Sequence, residues 1–376
     1  MRTKKRVSIV GTVGIPAKYG GFETLVEHLT KNLNSKFDIT VFCSSKAYDK
    51  KLNRYNGSNL EYIDLNANGI QSIIYDIVSI FKAIKNSDII LILGVSGCII
   101  LPLVRIFSKN KIVVNIDGLE WKRGKWNWYA KSFLKLSEEI AVRNSDVVIT
   151  DNRVIQEYVK FEYNLDSVFI PYGADHTTKE PLSNKLKVEF PFLNFKYAFT
   201  VCRIEPENNI HIILEAFRNF NSLNLVIVGN WNHSDYSRAL RDDYSAYSNI
   251  FLIDPIYEQK KLNAIRSNCY IYLHGHSAGG TNPSLVEAMY LKLPIISFDI
   301  NYNRETTKNR ALYFSNENDL VKTIKSVSKD DLKKVAIDMF NIAIREYTWD
   351  KVSNRYSKVM SGLYGLAQIE DKNCSI

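Results

Sequence analysis

Arg203 is the residue of this chain whose chemistry is easiest to name. It stands two residues after a predicted strand, Tyr197–Val201, and a helix is predicted to begin near Asn208. A guanidinium is always charged and offers a planar fork of N–H donors, so at a strand end it suits a diphosphate. The alternative is a surface salt bridge with Glu205 or Glu207, and the spacing alone favours neither interpretation.

A second loop combines small residues, a helix start and an acid. Asn282 is a favoured N-cap and Pro283 a favoured first helical residue, so we predict that a helix begins there. The small residues Gly280 and Thr281 before it leave room for a ligand against exposed N–H groups. Glu287 lies about one turn into this helix, where its carboxylate can accept two hydroxyls of a ribose.

Two histidines open the same loop. His274 and His276 form an H-x-H pair, but the sequence places no third or fourth ligand nearby. A zinc site is therefore poorly supported, and we predict no metal. Contact of His276 with a substrate or with neighbouring backbone is the favoured interpretation.

A glycine-rich loop, Gly11–Glu23, follows the first predicted strand and opens the first helix. Glycines such as Gly20 and Gly21 let backbone N–H groups approach an anion, and the helix N-terminus adds a favourable dipole. Phosphate or sugar contact is favoured over a plain turn. The spacing does not match G-x-G-x-x-G, and the second strand ends in Ser44 and Ser45 rather than an acid, so NAD binding is not expected.

A fourth segment begins with Asp117, directly after the predicted strand Ile112–Ile116. Aromatic and basic residues interleave behind it, namely Trp121, Lys122, Arg123, Lys125, Trp126, Trp128 and Tyr129. Such mixtures suit single-stranded nucleic acid, a membrane interface or a sugar platform. The alternative is a solvated helix start with its aromatics in the core.

Charge is concentrated around the same segment. From Arg105 to Lys135 there are eight Lys or Arg residues against two acids, a local charge of +6 within a chain of net charge +9. Basic charge favours nucleic acid, anionic lipid or phosphorylated substrates, and composition does not choose among them.

The elements that position these loops alternate along the chain, as in a parallel sheet covered on both faces. Predicted strands of the first half are Val7–Val10, Ile39–Cys43, Leu60–Leu65, Ile89–Leu93, Ile112–Ile116, Val147–Ile149 and Val168–Ile170. Those of the second half are Tyr197–Val201, Leu225–Val228, Phe251–Ile253, Tyr270–Leu273, Ile295–Phe298 and Leu312–Phe314.

We therefore predict an α/β protein of two Rossmann-like doubly wound domains that face a central cleft, with ligands beyond the carboxyl ends of the strands. The first domain is predicted at 1–175, a turn-rich polar linker at 176–189 and the second domain at 190–348.

The longest apolar run, Ile89–Val104, is shorter than the roughly 20 residues that cross a bilayer, and glycines and a proline interrupt it. The N-terminal apolar run is too short for a signal peptide. Five scattered cysteines suggest neither a disulfide framework nor a zinc site. We expect a cytoplasmic protein.

Together the four segments resemble glycosyltransferase family 4, from about Val7 to the last helix. More narrowly, the block GTVGIPAKYGGFET resembles bacterial rhamnosyltransferases of capsule and cell-surface polysaccharide synthesis. The resemblance implies the GT-B fold, with the last helix, about 350–366, crossing back to the first domain after the aromatic marker Tyr347–Asp350.

The resemblance also implies roles. Gly20 and Gly21 would lie under the donor's phosphates and sugar, Arg203 would clamp the diphosphate, and Glu287 would hold the ribose, or deoxyribose for a dTDP-sugar. The remaining donor-side residues are Asn208, His276, Gly280, Thr281, Asn282 and Ser284.

Three positions depart from the family pattern. Asn208 stands where most relatives have a lysine, Gly279 where most have the glutamate that binds the donor sugar, and Asp117 where many have a histidine. The first change removes a positive charge from the diphosphate site, so Arg203 and the helix N-termini must supply more of the charge that stabilises the diphosphate.

The implied reaction retains the anomeric configuration and needs neither metal nor cofactor. Arg203 stabilises the leaving diphosphate, and Asp117 orients the acceptor hydroxyl or polarises the sugar. The implied donor is dTDP-L-rhamnose, and the implied acceptor is a lipid-linked saccharide at the inner face of the membrane. The acceptor and membrane side would include Glu120, Trp121, Lys122, Arg123, Lys125 and Trp126, giving a cytoplasmic protein peripheral to the membrane.

Four alternatives remain open: a family 4 hexosyltransferase that uses a UDP-sugar, a sugar-nucleotide epimerase of the same fold, a catalytically inactive scaffold, and a basic nucleic-acid-binding protein. A nucleic-acid-binding function would assign no role to the loops at 11–21 and 274–287.

Overall fold

A computed structural model describes residues 4–18, 20–69, 71–124 and 126–365 of the chain. Its contacts divide the chain into two compact units. Unit 1 comprises Met1–Lys122, Trp126–Tyr172 and Trp349–Ile376, and unit 2 comprises Arg123–Lys125 and Gly173–Thr348, as far as these ranges are described.

Unit 1 is built on an eight-stranded sheet of order β3-β4-β2-β1-β5-β6-β7-β8, parallel except for the β3–β4 pair. The strands are β1 Lys5–Val10, β2 Phe37–Ser44, β3 Arg54–Tyr55, β4 Ser58–Ile63, β5 Ile89–Leu93, β6 Lys111–Asn115, β7 Val147–Thr150 and β8 Val168–Phe169. The helices are α1 Gly21–Leu33, α2 Gln71–Asn86, α3 Leu101–Phe107, α4 Trp128–Asn144, α5 Arg153–Tyr163 and, from the end of the chain, α14 Trp349–Gly362.

Unit 2 is built on a six-stranded parallel sheet of order β11-β10-β9-β12-β13-β14. The strands are β9 Tyr197–Val201, β10 Asn224–Val228, β11 Ile250–Ile253, β12 Ile271–His274, β13 Ile295–Phe298 and β14 Leu312–Phe314. The helices are α6 Asn184–Glu189, α7 Ile210–Arg218, α8 Asp235–Tyr244, α9 Gln259–Ser267, α10 Pro283–Tyr290, α11 Asn301–Thr306, α12 Glu317–Ser326 and α13 Lys329–Glu346.

The predicted α/β class with two doubly wound parallel sheets is confirmed. Strand β5 shows why the sequence pattern was informative: all five of its residues are apolar and buried, as expected for a strand covered by helices on both faces of a parallel sheet. The four cysteines that the structure describes, Cys43, Cys98, Cys202 and Cys269, are buried free thiols.

Several boundaries differ from the predictions. Strand β4 ends at Ile63, so the predicted strand Leu60–Leu65 is displaced by two residues. Strand β6 ends at Asn115, which leaves Asp117 two residues beyond the strand rather than directly after it. The predicted linker 176–189 lies within unit 2 and contains helix α6.

The last helix packs on unit 1, as predicted. At its start, the Trp349 ring stacks on His28 of α1 at 4.2 Å between centroids. One turn further on, Ser353 accepts a hydrogen bond from Asn32, and the Tyr356 hydroxyl accepts one from Asn115. The last helix, which residues 173–348 separate from the rest of unit 1 along the chain, therefore completes the core of that unit.

Among the described residues, no helix is long and apolar enough to span a bilayer.

Candidate active site

The loop after β9 presents Arg203 to solvent. Its side chain is exposed and forms no ion pair with any described residue, so the salt bridge with Glu205 or Glu207 that the sequence left open is not formed. The Arg203 carbonyl accepts hydrogen bonds from the Glu205 N–H at 3.0 Å and from the Asn208 side-chain amide at 2.7 Å. These hydrogen bonds fold the loop back on itself and leave the Arg203 guanidinium available to a ligand.

Asn208 and Asn209 shape this loop. The helix predicted near Asn208 is a single 3-10 turn there, because Asn209 takes a left-handed conformation with φ 50° and α7 begins only at Ile210. The buried amide of Asn208 is used on the Arg203 carbonyl. It therefore braces the loop in this structure rather than pointing into solvent.

The loops after β9 and β12 are held together because those strands are neighbours in the sheet. Asn209 donates to the Gly275 carbonyl at 2.9 Å, and the N–H and hydroxyl of Ser277 both donate to the Glu207 carbonyl. A Cβ on Gly275 would lie 2.2 Å from the Asn208 carbonyl oxygen. Only glycine fits at that contact.

Helix α10 begins as predicted. Asn282 is its N-cap and Pro283 its first residue, and the Asn282 side-chain oxygen accepts from both the N–H and the hydroxyl of Ser284. Thr281 is buried and Gly280 is half-buried. The N–H groups of Ser284, Leu285 and Val286 all bond to Asn282, so this end offers an anion the positive end of the helix dipole.

Glu287 is held by two residues that the sequence analysis did not identify. Arg266 of α9 donates to its Oε2 atom, and the Nε2 atom of His176 lies 3.1 Å from its Oε1 atom. Burial alone would raise the pKa of Glu287, but the charge of Arg266 and the contact with His176 outweigh it and bring the pKa to about 2. Glu287 is therefore ionised at neutral pH, and its side chain remains 16% exposed.

The two histidines stack, with ring centroids 4.4 Å apart. Burial lowers the pKa of His274 well below its usual value and that of His276 to about 3, so both rings are neutral at pH 7. Neither ring nitrogen of His274 has a hydrogen-bond partner among the described residues. The same residues include no group of three or more His, Cys, Asp or Glu arranged to hold a metal ion.

In unit 1, two acids of α1 hold the glycine-rich loop. Glu23 accepts from the Thr12 hydroxyl at 3.0 Å and the Val13 N–H at 2.8 Å, and Glu27 accepts from the Ala17 N–H at 2.6 Å. Gly20 caps the helix with φ 133°, a conformation that favours glycine. Gly21 is the first residue of α1, so both glycines lie at its positively polarised end.

Asp117 also lies at the carboxyl end of this sheet. It has φ 57°, and its N–H donates to the Asn115 side chain at 3.0 Å. The neighbouring phenol of Tyr172 has a pKa well above its usual value, first because it is buried and then because Asp117 and Asp151 lie nearby. Unit 1 thus gathers carboxyl groups around buried tyrosines at this edge.

The basic segment is less charged than the local count of +6 suggests. Arg105 and Lys111 both pair with Asp146, at 2.7 and 3.0 Å, and Lys135 pairs with Glu162 at 2.7 Å. These acids lie outside the counted stretch, so three of its eight cations are paired with acids that the count of +6 leaves out.

The aromatic residues of the same segment differ in their surroundings. The side chains of Trp128 and Tyr129 stack on each other and are 65% and 67% exposed. Trp126 donates to Glu120 at 3.1 Å, and the ammonium groups of Lys122 and Lys135 lie 5.3 and 4.9 Å from the centre of the half-buried Trp121 ring. Lys125 lies outside the described residues. The alternative of core-packed aromatics therefore does not hold for Trp128 and Tyr129.

Two family models match the chain, and they meet close to the boundary between units 1 and 2. Residues 184–340 match the model for glycosyl transferases group 1. Residues 4–175 match a domain of unknown function, DUF1972. The loops after β9 and β12 lie in the first of these matches, and the glycine-rich loop and Asp117 lie in the second.

Solved structures share the fold at low sequence identity. A sucrose-phosphate synthase from Thermosynechococcus elongatus is 12% identical with a TM-score of 0.77, covering 96% of this chain and 100% of that one. The HepE protein of Anabaena in complex with UDP is 13% identical, TM-score 0.72, covering 95% and 100%.

A protein from Listeria monocytogenes described as a UDP-N-acetylglucosamine 2-epimerase is 15% identical, with a TM-score of 0.63, covering 96% of this chain and 97% of that one. Proteins described as a synthase and as an epimerase thus share this fold, and the group 1 match of residues 184–340 is the finding that bears on the activity of this chain. With that match and the GT-B fold, the chain is a glycosyltransferase.

Proposed function

We propose that this glycosyltransferase takes its sugar from a nucleoside diphosphate, L-rhamnose from dTDP-L-rhamnose, and transfers it with retention of configuration to a lipid-linked saccharide. The reaction serves the synthesis of surface polysaccharide and uses no metal or cofactor. The rhamnose and dTDP assignments rest on the resemblance of Gly11–Glu23 to bacterial rhamnosyltransferases.

The observation that carries the proposal is the presence in unit 2 of an available cation in the loop after β9 and an ionised acid in helix α10, which follows the β12 loop bonded to it. Arg203 is exposed and unpaired within the described residues, which suits a diphosphate. Glu287 is ionised and partly accessible, which suits pentose hydroxyls. A nucleoside diphosphate carries both groups, and the HepE structure in complex with UDP shows that a protein of this fold binds one.

In this proposal, catalysis is mainly electrostatic. Negative charge develops on the departing diphosphate, where Arg203 and the N-terminus of α10 stabilise it. A departing phosphate oxygen takes the proton of the acceptor hydroxyl. Asp117 orients that hydroxyl or polarises the sugar. We expect Asp117→Asn to lose turnover with little change in donor affinity, and an unchanged turnover number would exclude this role.

The first test is thermal stabilisation of the protein by dTDP, UDP, GDP and the corresponding sugar nucleotides. We expect a dTDP-selective shift that is lost in Glu287→Gln, a nearly isosteric variant without the charge. Glu258→Gln, a change in the same unit just before α9, is the matched control and should keep the shift. Selectivity for UDP would replace rhamnose by a hexose donor, and absence of any shift would refute the donor site.

A second test separates transfer from epimerisation. The purified protein is incubated with the selected sugar nucleotide, with and without a membrane extract that contains lipid-linked acceptors. Transfer predicts that release of the nucleoside diphosphate depends on the extract. Conversion of the sugar nucleotide to its epimer without an acceptor would instead support the epimerase alternative.

The proposed acceptor is reached at a membrane surface. Helix α3 exposes Leu103, Ile106 and Phe107, the last two by 73% and 76%, and it packs against α4, which carries Trp128 and Tyr129. Exposed apolar and aromatic side chains near lysines are typical of proteins that dock on anionic bilayers.

Vesicle sedimentation tests this surface. Binding to vesicles with anionic lipid should weaken with salt and fall in a variant carrying Ile106→Ser and Phe107→Ser. Phe161→Ser, at a site 92% exposed on α5 of the same unit, is the control. Equal binding by both variants would refute this surface, and salt-dependent binding to single-stranded DNA instead would favour the nucleic-acid alternative.

A further inference from the structure

A buried polar cluster lies behind Glu287. The Arg266 side chain is fully buried, and its guanidinium donates to Glu287 through one nitrogen and to the Asn263 side-chain oxygen, at 2.9 Å, through another. Asn263 is fixed in turn by Gln259 at 3.0 Å. Arg266 lies at the end of α9, outside the loops that the sequence analysis singled out.

Stability alone is a poor reason for such an arrangement. Removing a guanidinium and a carboxylate from water costs several kcal/mol per ion, and well-packed apolar residues often replace a buried ion pair without loss of stability. The Nε atom of Arg266 is also buried and has no hydrogen-bond partner among the described residues, which adds to the cost. The cluster does, however, keep Glu287 ionised, and it holds each carboxylate oxygen by a different residue: Oε2 by Arg266 and Oε1 by His176.

We propose that Arg266 is a positioning residue of the donor site, which holds the Glu287 carboxylate in one orientation so that its remaining lone pairs accept hydrogen bonds from the donor's pentose. This inference rests on the proposed function, since it takes Glu287 as the group that binds the pentose. Each carboxylate oxygen has two lone pairs. After the contacts with Arg266 and His176, at least one lone pair remains on each oxygen.

The inference predicts how binding depends on pH once the cation is removed. Without Arg266, burial is the dominant influence on Glu287, and its pKa rises. The other titratable groups that face the pair are His176, Tyr272 and Cys269, and burial raises the pKa of the last two so that they stay neutral up to pH 9. A variant without the cation should therefore bind the donor poorly at low pH and recover as pH rises.

The experiment is titration calorimetry of the full chain with dTDP and UDP between pH 6 and 9, for the wild type, Arg266→Met, Arg266→Lys and Glu287→Gln. The ratio of each variant's affinity to that of the wild type removes the titration of the ligand's own phosphate. For Arg266→Met we expect a loss of about 10- to 100-fold at pH 6, which shrinks as pH rises. Glu287→Gln should lose affinity by a ratio that does not change with pH.

Arg266→Lys keeps a charge but not the fork of donors, so it should lie between Arg266→Met and the wild type. It also keeps the test open if Arg266→Met does not fold, which thermal melts will show. Repeating the pH series in a His176→Gln background removes any compensation by that imidazole.

The outcomes separate the two claims. If Glu287→Gln binds nucleotide like the wild type, the proposed donor site itself fails. If Glu287→Gln is impaired while Arg266→Met and Arg266→Lys bind with wild-type affinity at every pH, the donor site stands and the positioning role of Arg266 is refuted. A pH-independent loss in Arg266→Met would also refute it, because a purely structural defect gives that result.

Discussion

Asp76 of α2 gives a prediction that can be worked through quantitatively. Its carboxyl group is buried, with 5% of the residue exposed, and accepts a hydrogen bond from the Ser96 hydroxyl. No cation pairs with it among the described residues. Burial raises the pKa of Asp76 to about 7 from a usual value of 3.8, although the hydrogen bond from Ser96 opposes the increase.

The sign of the effect follows from proton linkage. Because the folded protein binds this proton more tightly than the unfolded chain does, stability falls as pH rises from about 4 to about 7. The full penalty is about 4 kcal/mol, from about 1.36 kcal/mol for each unit of pKa difference. Between pH 5 and pH 8 the same two pKa values predict a loss of about 3 kcal/mol.

Asp76→Asn removes the titration while preserving shape and a polar acceptor for Ser96. We expect it to raise the free energy of unfolding at pH 8 by about 4 kcal/mol, and this advantage of the variant should be about 3 kcal/mol smaller at pH 5. Urea denaturation at several pH values measures both quantities. Ser96→Ala is the complementary variant: it removes the bond that favours the charged form and should destabilise most at high pH. An advantage of Asp76→Asn that is equal at pH 5 and pH 8 would contradict the reasoning.

Three further predictions concern the loops and the last helix. Gly20→Ala places a Cβ 1.8 Å from the Glu23 carboxylate in a backbone conformation of φ 133°, so it should lower both the melting temperature and the transfer rate. Gly275→Ala puts a Cβ against the Asn208 carbonyl oxygen, and nucleotide-induced stabilisation should be lost while circular dichroism stays close to that of the wild type. Tyr356→Phe leaves a buried asparagine amide of β6 without its acceptor, which should cost about 1–3 kcal/mol in urea denaturation.

Local signals in the sequence predicted the parts of this fold that depend on nearby residues. The alternation of apolar runs and amphipathic helices predicted two parallel sheets, and Asn282 with Pro283 predicted the start of α10 correctly. Each of these features follows from side chains within a few positions of one another, where propensity and capping act.

The partners of Glu287 could not be predicted in this way. Arg266 lies 21 residues before it and His176 lies 111 residues before it, and their contact depends on how α9, α10 and the start of unit 2 pack. The local charge of +6 misled for the same reason, since the acids that neutralise Arg105 and Lys135 lie outside the counted stretch. Spacing along the chain does not encode such tertiary pairs.

The surroundings of Glu207 and Glu287 in unit 2 shift the pKa values of these two acids in opposite directions. The pKa of Glu207 is raised, first by burial and also by the neighbouring Glu205, whereas Arg266 and His176 outweigh burial and lower the pKa of Glu287. Glu207 belongs to the loop that carries Arg203, where an added negative charge would oppose a bound diphosphate. Burial of the Glu207 side chain, which raises its pKa, disfavours a negative charge at that position. Glu287 must instead stay ionised to accept hydroxyls. Acids whose surroundings shift their pKa values apart are a feature of sites with assigned chemical roles, and each shift here suits the part of a nucleoside diphosphate proposed to lie nearest to that acid.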